Sequence, residues 1–312
     1  MEGWHLQSVS WEMRDGMTPG KWGTEKQDRR PRSRRTRPVA GILLIFLGIA
    51  CGTVPSAGHA ETLKIGGTGG AMGAIRLLSE AFRKSHPGAS FIFLEHMGSG
   101  GAIKAVLAGD LDIGISARPL SDEERRLDLK QVYYARTNFV VVAGGKRGVS
   151  GFTLGELADI YSGKRKSWPD GTSIRLVLRP ESDTDIAMLK MMSPGMKQAV
   201  EYAMSRKGMI IAMTDSENAD KLESVPGSLG TATMAQVLSE NRKLEPMSLD
   251  GRDPAPKAIA NPSYPYCKTF SIVSRSKPIG LAKEFVDFVL SDAGRNILVR
   301  TGHMALTVRR GR

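Results

Sequence analysis

Three short segments place glycine and hydroxyl residues where a small anion could be held. They are residues 66–72 (Gly-Gly-Thr-Gly-Gly-Ala-Met), residues 98–103 (Gly-Ser-Gly-Gly-Ala-Ile) and residues 179–185 (Arg-Pro-Glu-Ser-Asp-Thr-Asp). Each stands between a strand-like run and the start of a helix-like run. The first N–H groups of a helix have no internal partner, and the helix dipole leaves partial positive charge beside them. Glycine lets the backbone approach a bound group, and serine or threonine adds an O–H donor. A single loop of this kind is an ordinary helix cap, whereas three in one chain predict convergence on one tetrahedral oxyanion. Arg179 adds a guanidinium fork that matches two oxygens at once. Asp183 would repel a fully ionised ligand, so its presence predicts an anion that still carries a proton, as monohydrogen phosphate does and sulfate does not. Its alternative role is favourable charge at a helix N-terminus.

None of the three loops ends in the Gly-Lys-Ser/Thr of a nucleotide-phosphate loop. Residues 67–73 loosely match a dinucleotide fingerprint, but no acidic residue follows at the distance a ribose contact needs. The five histidines (His5, His59, His86, His96 and His303) never pair with carboxylates at ligand spacing, and the two cysteines, Cys51 and Cys267, form no metal or disulfide pattern. No metal and no cofactor is expected.

The elements that must carry these loops alternate between strand and helix. Thr62-Leu63-Lys64-Ile65 is a strand, followed by helical spacing at Ile75, Leu78, Ala81 and Phe82. Phe91-Ile92-Phe93-Leu94 is a buried strand, then a helix carries Ile103, Val106 and Leu107, and Asp112-Ile113-Gly114-Ile115 returns as a strand. A second set follows Val140-Val141-Val142: a capping box at Thr153–Glu156, a strand over 174–178, a helix opened by Ser193-Pro194, and a strand at Met209-Ile210-Ile211-Ala212. The last third gives a strand at 270–273 and a helix over 282–290. Such alternation predicts an α/β fold with βαβ units and a mostly parallel sheet.

The 312 residues suffice for two domains of ordinary size. The formal charge is +12, but nine Lys/Arg against five Asp/Glu fall in the first 60 residues, seven of the bases between Lys26 and Arg37. No basic stripe with interleaved aromatics exists, so no nucleic-acid partner is expected. The basic stretch leads into an apolar run over 39–50, shorter than the roughly 20 residues that span a bilayer. Small residues Gly58 and Ala60 close it. Basic region, apolar region and small-residue site together predict a secretory signal peptide cleaved after Ala60. Cys51 after Gly48-Ile49-Ala50 is half of a lipoprotein box, which leaves a lipid- or membrane-anchored form as the alternative.

With these loops in place, the chain resembles the periplasmic phosphate-binding proteins of ABC importers. The resemblance rests on residues 98–104, continuing through Gly109-Asp110-Leu111-Asp112-Ile113-Gly114-Ile115-Ser116-Ala117-Arg118-Pro119-Leu120-Ser121. It extends to 154–163 with Trp168, 179–184, 226–230, Tyr264-Pro265 and the C-terminal helix with Gly294. It implies a two-lobed periplasmic-binding-protein fold of type II, each lobe a mixed sheet flanked by helices, with the ligand in the cleft between lobes. Lobe 1 is then 61–140 plus 250–312 and lobe 2 is 141–249, with 1–60 as signal peptide and extension. By position the resemblance implies a ligand set of Thr68, Gly70, Ala71, Ser99, Gly100, Arg118, Arg179, Ser182, Asp183 and Thr184. Two departures stand out: Ala117 replaces the family's proton-accepting aspartate, and Asp183 replaces the middle glycine of its Ser-Gly-Thr. Asp183 is therefore expected to take over the missing carboxylate's role.

The expected function is non-enzymatic capture of phosphate, or a similar oxyanion, in the periplasm by a monomer that docks on an ABC permease in the cytoplasmic membrane. The alternatives are a ligand-sensing receptor for a membrane sensor kinase and a secreted phosphatase using a Ser or Thr nucleophile.

Overall fold

A computed structural model describes residues 61–94, 97–254 and 264–306. The expected signal peptide, its expected cleavage site after Ala60 and Cys51 fall on residues outside those described.

The first half of the chain contains β1 (Thr62–Gly67), α1 (Gly69–Arg83), β2 (Ser90–Leu94), α2 (Gly98–Ala108), β3 (Ile113–Ser116), α3 (Asp122–Arg125), β4 (Lys130–Ala143), β5 (Gly151–Phe152) and α4 (Leu154–Tyr161). There follow β6 (Arg175–Leu178), α5 (Thr184–Met192), α6 (Pro194–Ser205), β7 (Ile210–Ile211), α7 (Asp215–Ser224), β8 (Ser228–Thr233) and α8 (Met234–Ser239). The chain then forms β9 (Glu245–Leu249), β10 (Cys267–Ser274), α9 (Gly280–Val289), α10 (Asp292–Arg300) and β11 (His303–Ala305).

The strands hydrogen-bond in the order β2-β1-β3-β10-β4-β8-β6-β7. Pairing is parallel in β1–β2, β1–β3 and β6–β8, and antiparallel wherever β4 and β10 take part. The mostly parallel sheet expected from alternation is thus a mixed one. The reason is β4, a 14-residue strand that runs unbroken between two cores. Its first half pairs with β10 and β11, and its second half with β8 and β9.

Around the first half pack Ile65, Ile75, Leu78, Phe82, Phe270 and Phe285, with Phe82 edge-on to Phe285. Around the second half pack Phe139, Val141, Leu157, Tyr161, Trp168 and Leu229. Burying each such side chain stabilises by about 1.5–3 kcal/mol. Trp168 also donates its Nε1–H to the Gly227 carbonyl at 3.0 Å, so its polar edge is not left unpaired. The fold is therefore α/β, with buried clusters packed around each half of β4. Among the described residues no helix is long and apolar enough to cross a membrane.

Candidate functional site

All three glycine–hydroxyl loops face one cleft of about 760 Å³. It lies at the C-terminal ends of β1, β3 and β6, where open α/β sheets bind ligands.

The first loop leaves β1 at Gly67, whose φ of +154° and closeness to β3 admit no side chain: a Cβ there would stand 2.1 Å from the Ile115 carbonyl oxygen. Thr68 is the N-cap of α1, yet its side chain makes no capping bond. Its hydroxyl instead donates to Asp215 Oδ2 at 3.1 Å, and the Gly70 N–H donates to the same oxygen at 2.8 Å. The second loop opens α2 after Met97, which has no capping side chain either. Seven other helices, from α3 through α8 and α10, are capped by the side chain preceding them. The start of α1 is thus met by Asp215 in place of a cap of its own, and the start of α2 keeps N–H groups for something other than a cap. Ser99 lies on the first turn of α2, where its Oγ accepts the Ala117 N–H at 2.9 Å.

The third loop follows β6. Arg179 is 4% exposed and fixed on three sides. Nη1 donates to the Ala212 carbonyl at 2.8 Å, and Nη2 meets Asp183 Oδ2 at 2.7 Å and Asp215 Oδ1 at 3.3 Å. Its Nε is buried without an acceptor. Asp183 is the N-cap of α5, accepting the Asp185 N–H at 2.9 Å through its other oxygen. Burial, together with the neighbouring Asp185 charge, holds its carboxyl above the usual aspartate range. The Ser182 and Thr184 hydroxyls line the cleft with no protein partner among the described residues.

Beneath this loop, Lys268 of β10 pairs with Asp185, which also accepts the Thr231 hydroxyl at 2.7 Å. Burial opposes the Lys268 charge, but Asp185, Asp215 and Asp183 outweigh it and hold the ammonium above the ordinary lysine range. Asp185 is also buried, and Lys268 keeps its carboxyl below the usual range. The strand that links the cores therefore anchors the helix start carrying Arg179, Ser182 and Thr184.

Of the residues predicted from sequence, Thr68, Ser99, Gly100, Arg118, Arg179, Ser182, Asp183 and Thr184 line the cleft. Gly70 and Ala71 lie behind that lining, the first bonded to Asp215 and the second in the first core. Arg118 faces the cleft with its fork already engaged: Nη1 and Nη2 reach the two oxygens of Glu124 at 2.7 and 2.8 Å. Sequence reasoning missed Asp215, Lys268, Glu240 and Arg242. Asp215 carried a legible signal, since Thr214-x-x-Glu217 is a helix-opening pattern: Thr214 Oγ1 accepts the Glu217 N–H at 3.1 Å. Lys268 carried none, because a lysine within an apolar strand discloses no partner 83 residues away.

The PBP superfamily domain matches residues 52–293. The chain belongs to the PBP superfamily. Among similar members, the phosphate-binding protein PstS of Bacillus subtilis is 27% identical over 256 residues, covering 79% of this chain and 81% of that one. PstS of Staphylococcus epidermidis is 26% identical over 273 residues, covering 80% and 82%. Among solved superfamily structures, a Clostridium perfringens protein with bound phosphate, described as a phosphate ABC transporter substrate-binding protein, aligns with a TM-score of 0.66 at 21% identity. That alignment covers 79% of this chain and 100% of the other. An ABC-type phosphate transport receptor from Vibrio cholerae aligns at 0.54 and 19% identity, over 78% and 99%. These likenesses establish the two-lobed type II architecture of this superfamily member.

Proposed function

We propose that this protein captures phosphate outside the cytoplasmic membrane and delivers it, as a monomer, to an ABC permease. The observation that carries this reading is the convergence of three loops, drawn from residues 66–73, 98–103 and 179–184, on one cleft. That cleft holds two helix starts without an N-cap side chain of their own, of which α1 is met by Asp215, together with the unpartnered Ser182 and Thr184 hydroxyls and a buried arginine. PstS relatives whose names state phosphate binding support the choice of anion. Lobe 1 is taken as 61–140 plus 250–312 and lobe 2 as 141–249; exceptions to this division are Ala235, which packs in the first core, and Phe139 and Tyr264, which pack around the second half of β4.

A receptor is favoured over a phosphatase by the surroundings of the cleft's serines. Ser99 Oγ is bonded to a backbone N–H, Ser182 Oγ is hydrogen-bonded to no base among the described residues, and no histidine lines the cleft among them. Two carboxylates, Asp183 and Asp215, stand in this anion site, which suits a ligand that carries a proton. Asp183 has each oxygen on one donor, as cap and as partner of Arg179, whereas Asp215 Oδ2 takes two donors and Oδ1 meets Arg179. A carboxylate oxygen accepts about two hydrogen bonds, so Asp215 Oδ1 and both Asp183 oxygens retain acceptor capacity. Isothermal titration with phosphate, sulfate and a phosphate monoester tests the proposal. Saturable phosphate binding without turnover of the ester supports it; absence of phosphate binding, or ester hydrolysis, rejects it.

A further inference from the structure

A second cavity, of about 400 Å³, lies at the other end of β6, within the second lobe. Its walls come from the turn after α4, the start of β6, and the passage from α6 to β7. Four basic side chains line it, Arg165, Lys166, Arg175 and Arg206, and no carboxylate does. Its floor is apolar, formed by Ile160, Ile174, Leu176 and Met209 among others.

The pairing of these cations is unusual for the molecule. Arg165 has a distant carboxylate, Glu156 at 3.4 Å, half of whose surface is in solvent. Lys166, Arg175 and Arg206 make no ion pair among the described residues. Arg206 is held in place all the same: its guanidinium lies 5.6 Å over the Tyr202 ring, and its Nε is buried without an acceptor. Gly163, at φ +75°, leaves room for it, since a Cβ there would sit 3.0 Å from Arg206 Nη1. Like charges gathered over an apolar floor repel one another more than they would in open water. Charge-assisted bonds from planar guanidinium forks to an oxyanion reverse that balance. The position also separates this cavity from the cleft. Arg175 opens β6 and Arg179 directly follows its end, four residues on and hence about 13 Å away.

We infer that this groove is a second anion site, which takes a condensed phosphate: a linear anion of two or more linked phosphoryl groups. One phosphoryl group would leave most of the cations unanswered. The volume falls at the lower end of the roughly 300–1,000 Å³ that small-molecule sites occupy. The inference does not depend on what the cleft binds.

The test is isothermal titration of the full chain with sodium tripolyphosphate at about 0.15 M salt, inorganic phosphate being present to fill the cleft. The expected result is one saturable event per chain. Arg206→Ala and Arg175→Ala each weaken it about tenfold or more, and Lys166→Ala, at an exposed position, weakens it without touching any packed side chain. The phosphate affinity of the cleft, titrated separately, should be the same in all three variants, which also shows that they fold. A parallel arm adds phosphatidylcholine vesicles with and without an anionic phospholipid. Binding to anionic vesicles with no binding of tripolyphosphate would overturn the inference, because the groove would then be a lipid-headgroup surface. The absence of any event, or one that survives all three substitutions, would overturn it as well. Loss of phosphate binding with the tripolyphosphate event retained would count against the cleft alone.

Discussion

The cleft and the groove sit at opposite ends of β6 and treat positive charge in opposite ways. In the cleft, Arg118, Arg179 and Arg242 each hold at least one carboxylate: Glu124 for the first, Asp183 and Asp215 for the second, and Asp220, Glu223 and Glu240 for the third. In the groove, Lys166, Arg175 and Arg206 hold none among the described residues. The comparison teaches that a site built for a small anion need not show free cations. Carboxylates fix the arginines in position, and the free donors are backbone N–H groups at helix starts and serine or threonine hydroxyls. The groove instead leaves three of its four cations without a carboxylate among the described residues.

The largest expected effect lies under the cleft. Lys268→Met leaves Asp185 buried beside Thr231 without its cation, and removing one member of a buried ion pair costs about 3–5 kcal/mol. Urea unfolding should show a loss of that size. Arg206→Ala in the groove should lie within about 1 kcal/mol of the parent, because it breaks no ion pair and relieves repulsion. Equal losses at the two positions would erase the contrast.

Next comes Arg179→Ala, which removes a charge-assisted donor and leaves Asp183 and Asp215 facing one another. Phosphate affinity should fall about 100-fold, at about 1.5–3 kcal/mol for bonds to charged groups. Tripolyphosphate binding in the groove should be unmoved.

Asp215 sharpens the comparison in another way. It belongs to α7, whose Ala219 and Leu222 share a buried cluster with Val140 and Val142 of β4, yet it accepts the Thr68 hydroxyl and the Gly70 N–H from the loop that opens α1. A Cβ on Gly69 would lie 2.7 Å from the Asp215 Cβ, so this close approach depends on glycine. Asp215→Ala should expand the ligand-free protein in small-angle scattering, with phosphate restoring compactness. Phosphate affinity should drop about 3–10-fold, the loss of one or two ordinary hydrogen bonds. An unchanged radius of gyration would deny Asp215 this closing role.

The smallest effect is on pH. Asp183 titrates above the usual aspartate range, so as pH falls through its raised value the folded protein takes up a proton and one negative charge leaves the cleft. Sulfate does not titrate in this range. Its binding should strengthen as pH is lowered through that value, and Asp183→Asn should bind it more tightly than the parent does at pH 7. If sulfate rejection by Asp183→Asn equals that of the parent, Asp183 plays no part in discrimination.

Much of this site was legible before any coordinates. Glycine and hydroxyl residues between a strand and a helix announce a local geometry, and local geometry is what sequence spacing encodes. Ser99, Arg179, Ser182 and Thr184 reached the cleft for that reason. What stayed hidden is non-local. Lys268 sits in an apolar strand pairing with β4, and its partner Asp185 is visible only once the chain has folded. Arg118 is expected in the ligand set from its place after β3 and does line the cleft; that its fork rests on Glu124, in a capping box six residues on, is visible only in the fold. The sheet was read as mostly parallel because helices alternate with strands; β4 and β10 run against that pattern because each pairs with strands far away in sequence. The groove was not foreseen at all, since Arg165, Lys166, Arg175 and Arg206 belong to three separate elements.

The central claim is that three distant loops grip one oxyanion. Titrating phosphate into the parent and into Ser99→Ala, Ser182→Ala and Thr184→Ala, singly and together, tests it most directly. The account predicts one site in the parent, a loss of about tenfold or less for each single change, and no measurable binding by the triple variant. Phosphate bound by the triple variant as tightly as by the parent would contradict it.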